Sequence, residues 1–301
     1  MQRRELLKGL AAATGVTLAA HGLDTAHATP PRKGPIAMSK PVELFTKDWG
    51  SGAPLLFVHS WAVTNEIFQY QHAHFAGAGF RVVAYDRRGH GRSAQPGDGY
   101  DADTLADDLA RVIKQHDLSG ITLIGHSMAG GEIVRYLSRH GAAKVARVVL
   151  VAPTTPFLLK TAGNPDGIDG AMFEGMRDTW RKDFPGWLAS NARPFFAPET
   201  SQAMVDWGVQ MMSRIPVHVA IACNKHMVEA DFRPDCKAVT VPALILQGTK
   251  DASAPLVLTG QRTAALIPRA RLTVYDDAPH GLMLTHAARL NADIAAFIAS
   301  T

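Results

Sequence analysis

Ile121-Thr122-Leu123-Ile124-Gly125-His126-Ser127-Met128-Ala129-Gly130-Gly131-Glu132 decides how this chain folds. Four apolar-rich residues run into Gly-His-Ser, then into helical spacing at Ile133, Val134 and Leu137. That order reads as a buried strand, a sharp turn with a serine at its apex, and a helix. A nucleophile elbow needs this geometry. The tight turn lifts the serine hydroxyl out of the sheet, and the flanking positions must be small because strand and helix nearly touch. The pattern is Gly-x-Ser-x-Gly, and here Ala129 takes the fifth position. Ser127 is therefore the candidate nucleophile, and the rest of the chain has to supply a base, an acid and an oxyanion hole.

Outward from the elbow, short apolar-rich runs recur at residues 55–58, 81–85, 147–151, 243–247 and 271–275. Each reads as a strand, those at 55–58, 81–85 and 147–151 as strands buried on both faces. Residues 42–46 read as an edge strand. Helical stretches separate the runs. One spans about 65–78, capped by Thr64 or Asn65 and ended by Gly79; one starts at an Asp103-Thr104 cap; others span about 255–267 and 284–298. Strand and helix in alternation imply an α/β fold with a mostly parallel, doubly wound sheet. From 154 to 235 this rhythm stops and Trp180, Trp187, Phe195, Phe196, Trp207, Met211 and Met212 accumulate. That segment reads as a helical cap inserted into a core of residues 41–153 and 236–301.

The 301 residues are 47% hydrophobic and 19% charged, enough for one large α/β domain. The net charge of +4 comes from scattered Lys and Arg without a run, which speaks against a nucleic-acid partner. Cys223 and Cys236 fit neither a disulfide framework nor zinc spacing and read as two separate half-buried thiols, with pairing the alternative in an exported protein. The N-terminus places Arg3-Arg4 and Lys8 before a weakly apolar stretch, then Ala26-His27-Ala28. Residues 1–28 resemble a twin-arginine export signal, with 29–40 as a Pro-rich spacer, so the expected location is the periplasm; an ordinary N-terminal helix would leave the protein cytoplasmic. The apolar stretch is too short and weak for stable membrane insertion.

Asp251 and His280 each follow a predicted strand, as Ser127 does, so all three fall at the carboxyl ends of a parallel sheet, where such sheets hold their ligands. Ser…Asp…His is the chain order of α/β-hydrolases. Ser127 would attack an acyl carbon, His280 would take and return the proton, and Asp251 would fix the imidazole tautomer. Asp277 is a second candidate acid, but it sits on the same loop as His280. The oxyanion donors would be the backbone N–H of Met128, after the nucleophile, and of Trp61, after the first buried strand. Phe157, Leu158, Trp187 and Phe196 are candidate pocket residues from the cap.

These residues and their neighbours resemble the cofactor-free haloperoxidase/aryl esterase (perhydrolase) family of α/β-hydrolases. The segments that carry the resemblance are Phe57-Val58-His59-Ser60-Trp61, Tyr85-Asp86-Arg87-Arg88-Gly89-His90-Gly91-Arg92-Ser93, Gly125 to Tyr136, Val151-Ala152-Pro153, Asn164-Pro165-Asp166-Gly167 and Ala278-Pro279-His280-Gly281-Leu282. The match runs from about residue 41 to the end. It implies Ser127, Asp251 and His280 as a triad, Trp61 and Met128 as oxyanion donors, and no metal, haem or other cofactor. It also implies an esterase for small alkyl or aryl esters in which hydrogen peroxide can replace water, giving a peracid that oxidises halide. A homo-oligomer is compatible with this. A lactonase or C–C bond hydrolase would use the same triad, and a non-catalytic ligand binder would not need it. Three residues depart from the family pattern: Ser60 and Ala129 where Gly is usual, and Ala62 where Pro is frequent. Positive φ at Ser60 or Ala129 would cost of order 1 kcal/mol each.

Overall fold

Strand burial runs through both faces of the sheet, because successive side chains point to opposite sides and both sides are covered. The computed structural model describes residues 38–301; the leader and residues 29–37 of the spacer lie outside them. Among the described residues, seven strands form one sheet: β1 (Thr46–Trp49), β2 (Pro54–Val58), β3 (Arg81–Tyr85), β4 (Ile121–His126), β5 (Val145–Val151), β6 (Ala243–Gly248) and β7 (Ala270–Tyr275). Their order is β1-β3-β2-β4-β5-β6-β7, with β1 antiparallel to β3 and every other pair parallel. β4, which delivers Ser127, sits at the centre.

The helices in chain order are α1 (Gln69–Gly77), α2 (Ala102–Gln115), α3 (Ala129–His140), α4 (Gly170–Asn191), α5 (Gln202–Met212), α6 (Val217–Glu229), α7 (Arg233–Lys237), α8 (Gly260–Leu266), α9 (Leu282–Thr285) and α10 (Ala287–Ser300). Leu56, Val58, Leu123 and Leu150 bury on one face against Leu109 and Val112 of α2 and Ile133 of α3. Leu55, Phe57, Ile124 and Val149 bury on the other against Phe75 of α1 and Leu290, Ile294 and Phe297 of α10. At about 25 cal/mol per Å² of apolar area, this two-faced burial is the main term holding the sheet.

Between β5 and β6 lie α4 to α7. α4 is broken at Asp183, whose φ of −155° and ψ of 83° are non-helical, two residues before Pro185. Proline lacks the N–H that would bond back along the helix and its ring crowds the preceding turn. The Asp183 side chain then accepts the Gly186 N–H at 2.9 Å and starts the helix again.

Several element bounds differ from those expected. The edge strand is residues 46–49, not 42–46, because its pairing with β3 begins at Thr46 opposite Tyr85. α2 is capped by Asp101, whose carboxylate accepts the Thr104 N–H at 2.9 Å, not by Asp103. The stretch before α1 is a 3-10 turn over Asn65–Phe68, capped by Thr64. α8 starts five residues later than expected, at Gly260. Cys223 and Cys236 are both buried and free.

Candidate active site

Ser127 follows β4 directly and has φ +56°, the left-handed region that costs an L-residue roughly 1–2 kcal/mol. The turn is held from both sides: the Ser127 N–H donates to the Val151 carbonyl at 2.9 Å, and its own carbonyl accepts from Gly130 at 2.9 Å and Thr154 at 3.3 Å. Gly125 makes the room: a Cβ there would stand 2.5 Å from Ile133 Cδ1 and 3.1 Å from the Ala129 Cβ. Ala129 itself begins α3 with ordinary helical backbone, so the extra methyl is absorbed by packing and adds no strain. Ser60 likewise has no positive φ, and the strain falls on Ala62, at φ +60°.

The structure brings Ser127, His280 and Asp251 into one hydrogen-bonded line. His280 Nε2 is 2.9 Å from Ser127 Oγ, and His280 Nδ1 is 2.8 Å from Asp251 Oδ2. All three side chains are buried. Asp251 lies on the loop after β6, and its Oδ1 accepts the N–H groups of Ser253 at 2.9 Å and Ala254 at 2.7 Å. Gln247 Nε2 donates to Oδ2 at 3.1 Å. With four donors including His280, the carboxylate is fixed in place and faces the imidazole. Asp277 is not that partner: its side chain is 84% exposed and stands 3.7 Å from Lys250 Nζ.

The His280 loop is tied down by its neighbours. His126, the residue before the elbow serine, places its ring 4.6 Å from that of His280 and its Nε2 3.1 Å from the His280 carbonyl. Burial pushes the His126 pKa well below the usual histidine range, and the nearby His280 adds to this. Phe195 stands edge-on to His280 at 5.6 Å, and its carbonyl accepts the Gly281 N–H at 2.8 Å. Phe195 was not among the expected pocket residues. Its place in an apolar, Pro-containing segment carries no mark that distinguishes it from Phe196.

Trp61 follows β2, and Met128 follows Ser127 directly and precedes α3. Neither backbone N–H has a protein acceptor among the described residues. The Trp61 ring stacks on Trp180 at 4.8 Å and meets Phe184 at 6.0 Å and Trp187 at 6.3 Å, and its Nε1 donates to the Ala220 carbonyl at 2.8 Å. The break in α4 lets rings on both sides of it reach Trp61. Of the expected pocket residues, Trp187 is in this aromatic group. Phe196 packs behind Phe195, at 5.1 Å, in a cluster with Ala192 and Val205. Phe157 lies under the Arg233 guanidinium at 5.2 Å and faces a groove shared with Arg233 and Arg262. Leu158 is buried and its carbonyl accepts the Ile168 N–H at 2.8 Å.

A strained serine at the centre of a parallel sheet, lined up with a histidine and a carboxylate from later strand ends, is the geometry of acyl transfer. The comparisons agree. A family model described as alpha/beta hydrolase fold matches residues 53–287. A non-heme haloperoxidase of Rhodococcus erythropolis is 37% identical over 275 residues, covering 88% of this chain and 99% of that protein. A bifunctional esterase/perhydrolase of Acinetobacter calcoaceticus is 35% identical, covering 86% and 97%. The crystal structure of a bromoperoxidase from Bacillus anthracis superposes with a TM-score of 0.83 at 32% identity, covering 86% and 96%. The chain belongs to the α/β-hydrolase family, in the branch that holds non-haem haloperoxidases and esterase/perhydrolases.

Proposed function

We propose that this protein is a serine esterase for small alkyl or aryl carboxylic esters, working through an acyl-enzyme on Ser127, with hydrogen peroxide as an alternative acceptor to water. The observation that carries this is the unbroken Asp251–His280–Ser127 hydrogen-bond line. Ser127 Oγ attacks the ester carbon as its proton passes to His280 Nε2. Asp251 holds the imidazole with Nδ1–H toward itself and stabilises the cation. The oxyanion is taken by the N–H groups of Trp61 and Met128, and each such donor is worth roughly two to three powers of ten in rate. His280 then gives the proton to the leaving alcohol. Water, activated by the same imidazole, frees the acid; hydrogen peroxide in its place releases a peracid, which oxidises halide outside the triad.

The names of the similar proteins support the peroxide half, since they include both haloperoxidases and an esterase/perhydrolase. The test is hydrolysis of p-nitrophenyl acetate, then peroxide-dependent bromination in acetate, for wild type and Ser127→Ala. Both activities should vanish together in the variant. Bromination that survives in Ser127→Ala would separate it from the triad.

Export is also proposed, resting on the order Arg3-Arg4, Lys8 and Ala26-His27-Ala28. Replacing both arginines by lysine should retain the protein in the cytoplasm of an expressing bacterium, and periplasmic activity undiminished by that change would contradict it.

A further inference from the structure

The loop after β3, Asp86 to Ser93, has no part in the proton line, yet its first arginine is wholly buried. Arg87 Nη1 donates to the Ser60 carbonyl at 3.1 Å and Nη2 to the His59 carbonyl at 2.6 Å. Its Nε and Nη2 meet Glu132 Oε2 at 2.8 and 2.7 Å, and the other Glu132 oxygen accepts the Tyr85 hydroxyl. Glu132 stands on α3, one turn beyond Met128. A single guanidinium thus joins the loop that carries Trp61 to the helix that follows Met128.

His59 adds a second hold. Its Nε2 takes the Arg87 backbone N–H at 2.8 Å, so that nitrogen is bare and the ring proton is on Nδ1. Nδ1 therefore donates to the Ser60 carbonyl at 2.8 Å. Burial, then the charge of Arg87, keeps the His59 pKa well below the usual range, so the ring stays in this neutral form. The Ser60 carbonyl and the Trp61 N–H belong to one planar trans peptide and point in opposite directions. Two donors on the carbonyl side fix where the N–H aims. Polarising the carbonyl also makes the N–H a stronger donor, as in any hydrogen-bonded chain. Just beyond, the Ala62 N–H donates to His90 Nε2 at 3.3 Å, which holds the strained turn.

We propose that Arg87 and His59 are positioning residues that aim and polarise the Trp61 N–H for the oxyanion, with Glu132 locking Arg87 to the elbow helix. This rests on the serine esterase reading. Its signature is a loss of transition-state binding without a loss of ground-state binding.

The test uses the whole protein: wild type, Arg87→Lys, His59→Phe and His59→Asn. Arg87→Lys keeps a cation for Glu132 but cannot fork to two carbonyls. His59→Asn keeps a donor near the Nδ1 position, and His59→Phe does not. The readouts are kcat and KM for p-nitrophenyl acetate and the inhibition constant of a trifluoromethyl ketone, which forms a tetrahedral adduct with the serine. Thermal melts report folding. Arg87→Lys and His59→Phe should lower kcat by about tenfold to hundredfold with KM within about twofold, below the cost of deleting a donor outright. Ketone affinity should fall by the same factor as kcat/KM, and His59→Asn should recover most of it. Should Arg87→Lys fail to fold, the His59 pair decides alone. Folded variants with wild-type kcat and ketone affinity, or a loss confined to KM, would overturn the proposal and leave the esterase reading standing. A wild type without Ser127-dependent turnover would overturn both.

Discussion

The His126 ring lies against the His280 ring with centroids 4.6 Å apart and caps the His280 carbonyl with Nε2 at 3.1 Å. A carbonyl only accepts, so the His126 proton is on Nε2. Nδ1 is then bare, buried and without a partner among the described residues. A charged His126 would oppose the imidazolium that the proposed mechanism forms on His280. Burial, assisted by His280, holds it neutral. The acid limb of the activity–pH profile should therefore follow a single ionisation, in wild type and in His126→Phe alike. His126→Phe keeps the ring contact and loses the carbonyl bond, which should cost about twofold to tenfold in kcat, the worth of one hydrogen bond. A two-proton acid limb that becomes one-proton in the variant would show that His126 titrates in the working range.

The assignment of the acid separates two aspartates. Asp251→Asn should lose about three to four powers of ten in kcat, because an amide no longer favours Nδ1–H or the imidazolium. Asp277→Asn should retain wild-type kcat, since that side chain is 84% exposed and faces Lys250. Steady-state rates on p-nitrophenyl acetate check both, and equal losses in the two variants would contradict the geometry.

Acid should destabilise the fold before carboxylates titrate. Burial depresses the pKa values of His59, His72, His90 and His126, those of His72 and His90 to about 3. The unfolded chain takes up these protons near pH 6.5, and the folded chain does not. This stability is thus fully present above pH 6.5 and is lost as pH falls toward 3, at about 1.4 kcal/mol per pH unit for each histidine. His72 lies outside the site, edge-on to Phe57 at 4.9 Å, so it can be removed. Urea unfolding of His72→Phe between pH 7 and 5 should show about 2 kcal/mol less loss than wild type. Equal losses would mean that His72 is not buried neutral.

Two of the three departures from the family pattern, Ala62 and Ala129, have opposite consequences. Ala62 holds φ +60°, whereas Ala129 has helical backbone. Ala62→Gly should therefore stabilise by up to about 1 kcal/mol, and Ala129→Gly should destabilise by roughly 0.5–1 kcal/mol. Urea unfolding at neutral pH reads both signs, and the same sign for the two would contradict the backbone assignment.

The parallel sheet and the line of Ser127, Asp251 and His280 were legible in the sequence because each residue follows an apolar run closely, and the shared direction of parallel strands puts such positions on one rim. What escaped depends on contacts between distant segments. The start of β1 is set by its partner β3, and the cap of α2 by which of two nearby aspartates meets the Thr104 N–H. The strain at Ala62 depends on His90, 28 residues away, which receives its N–H. Phe195 and Phe196 are chemically identical neighbours, and only the fold of α4 and its following turn sends one to His280. Arg87 reads as one more polar loop residue until its guanidinium is seen to bond across to His59, Ser60 and Glu132.

Ser127 as nucleophile is tested most directly by treating the folded protein with a fluorophosphonate and mapping the adduct by peptide mass spectrometry. A single adduct is expected, on the peptide containing Ser127, absent from Ser127→Ala and from protein unfolded before treatment. No adduct in the folded wild type, or an adduct that persists in Ser127→Ala, would contradict that role.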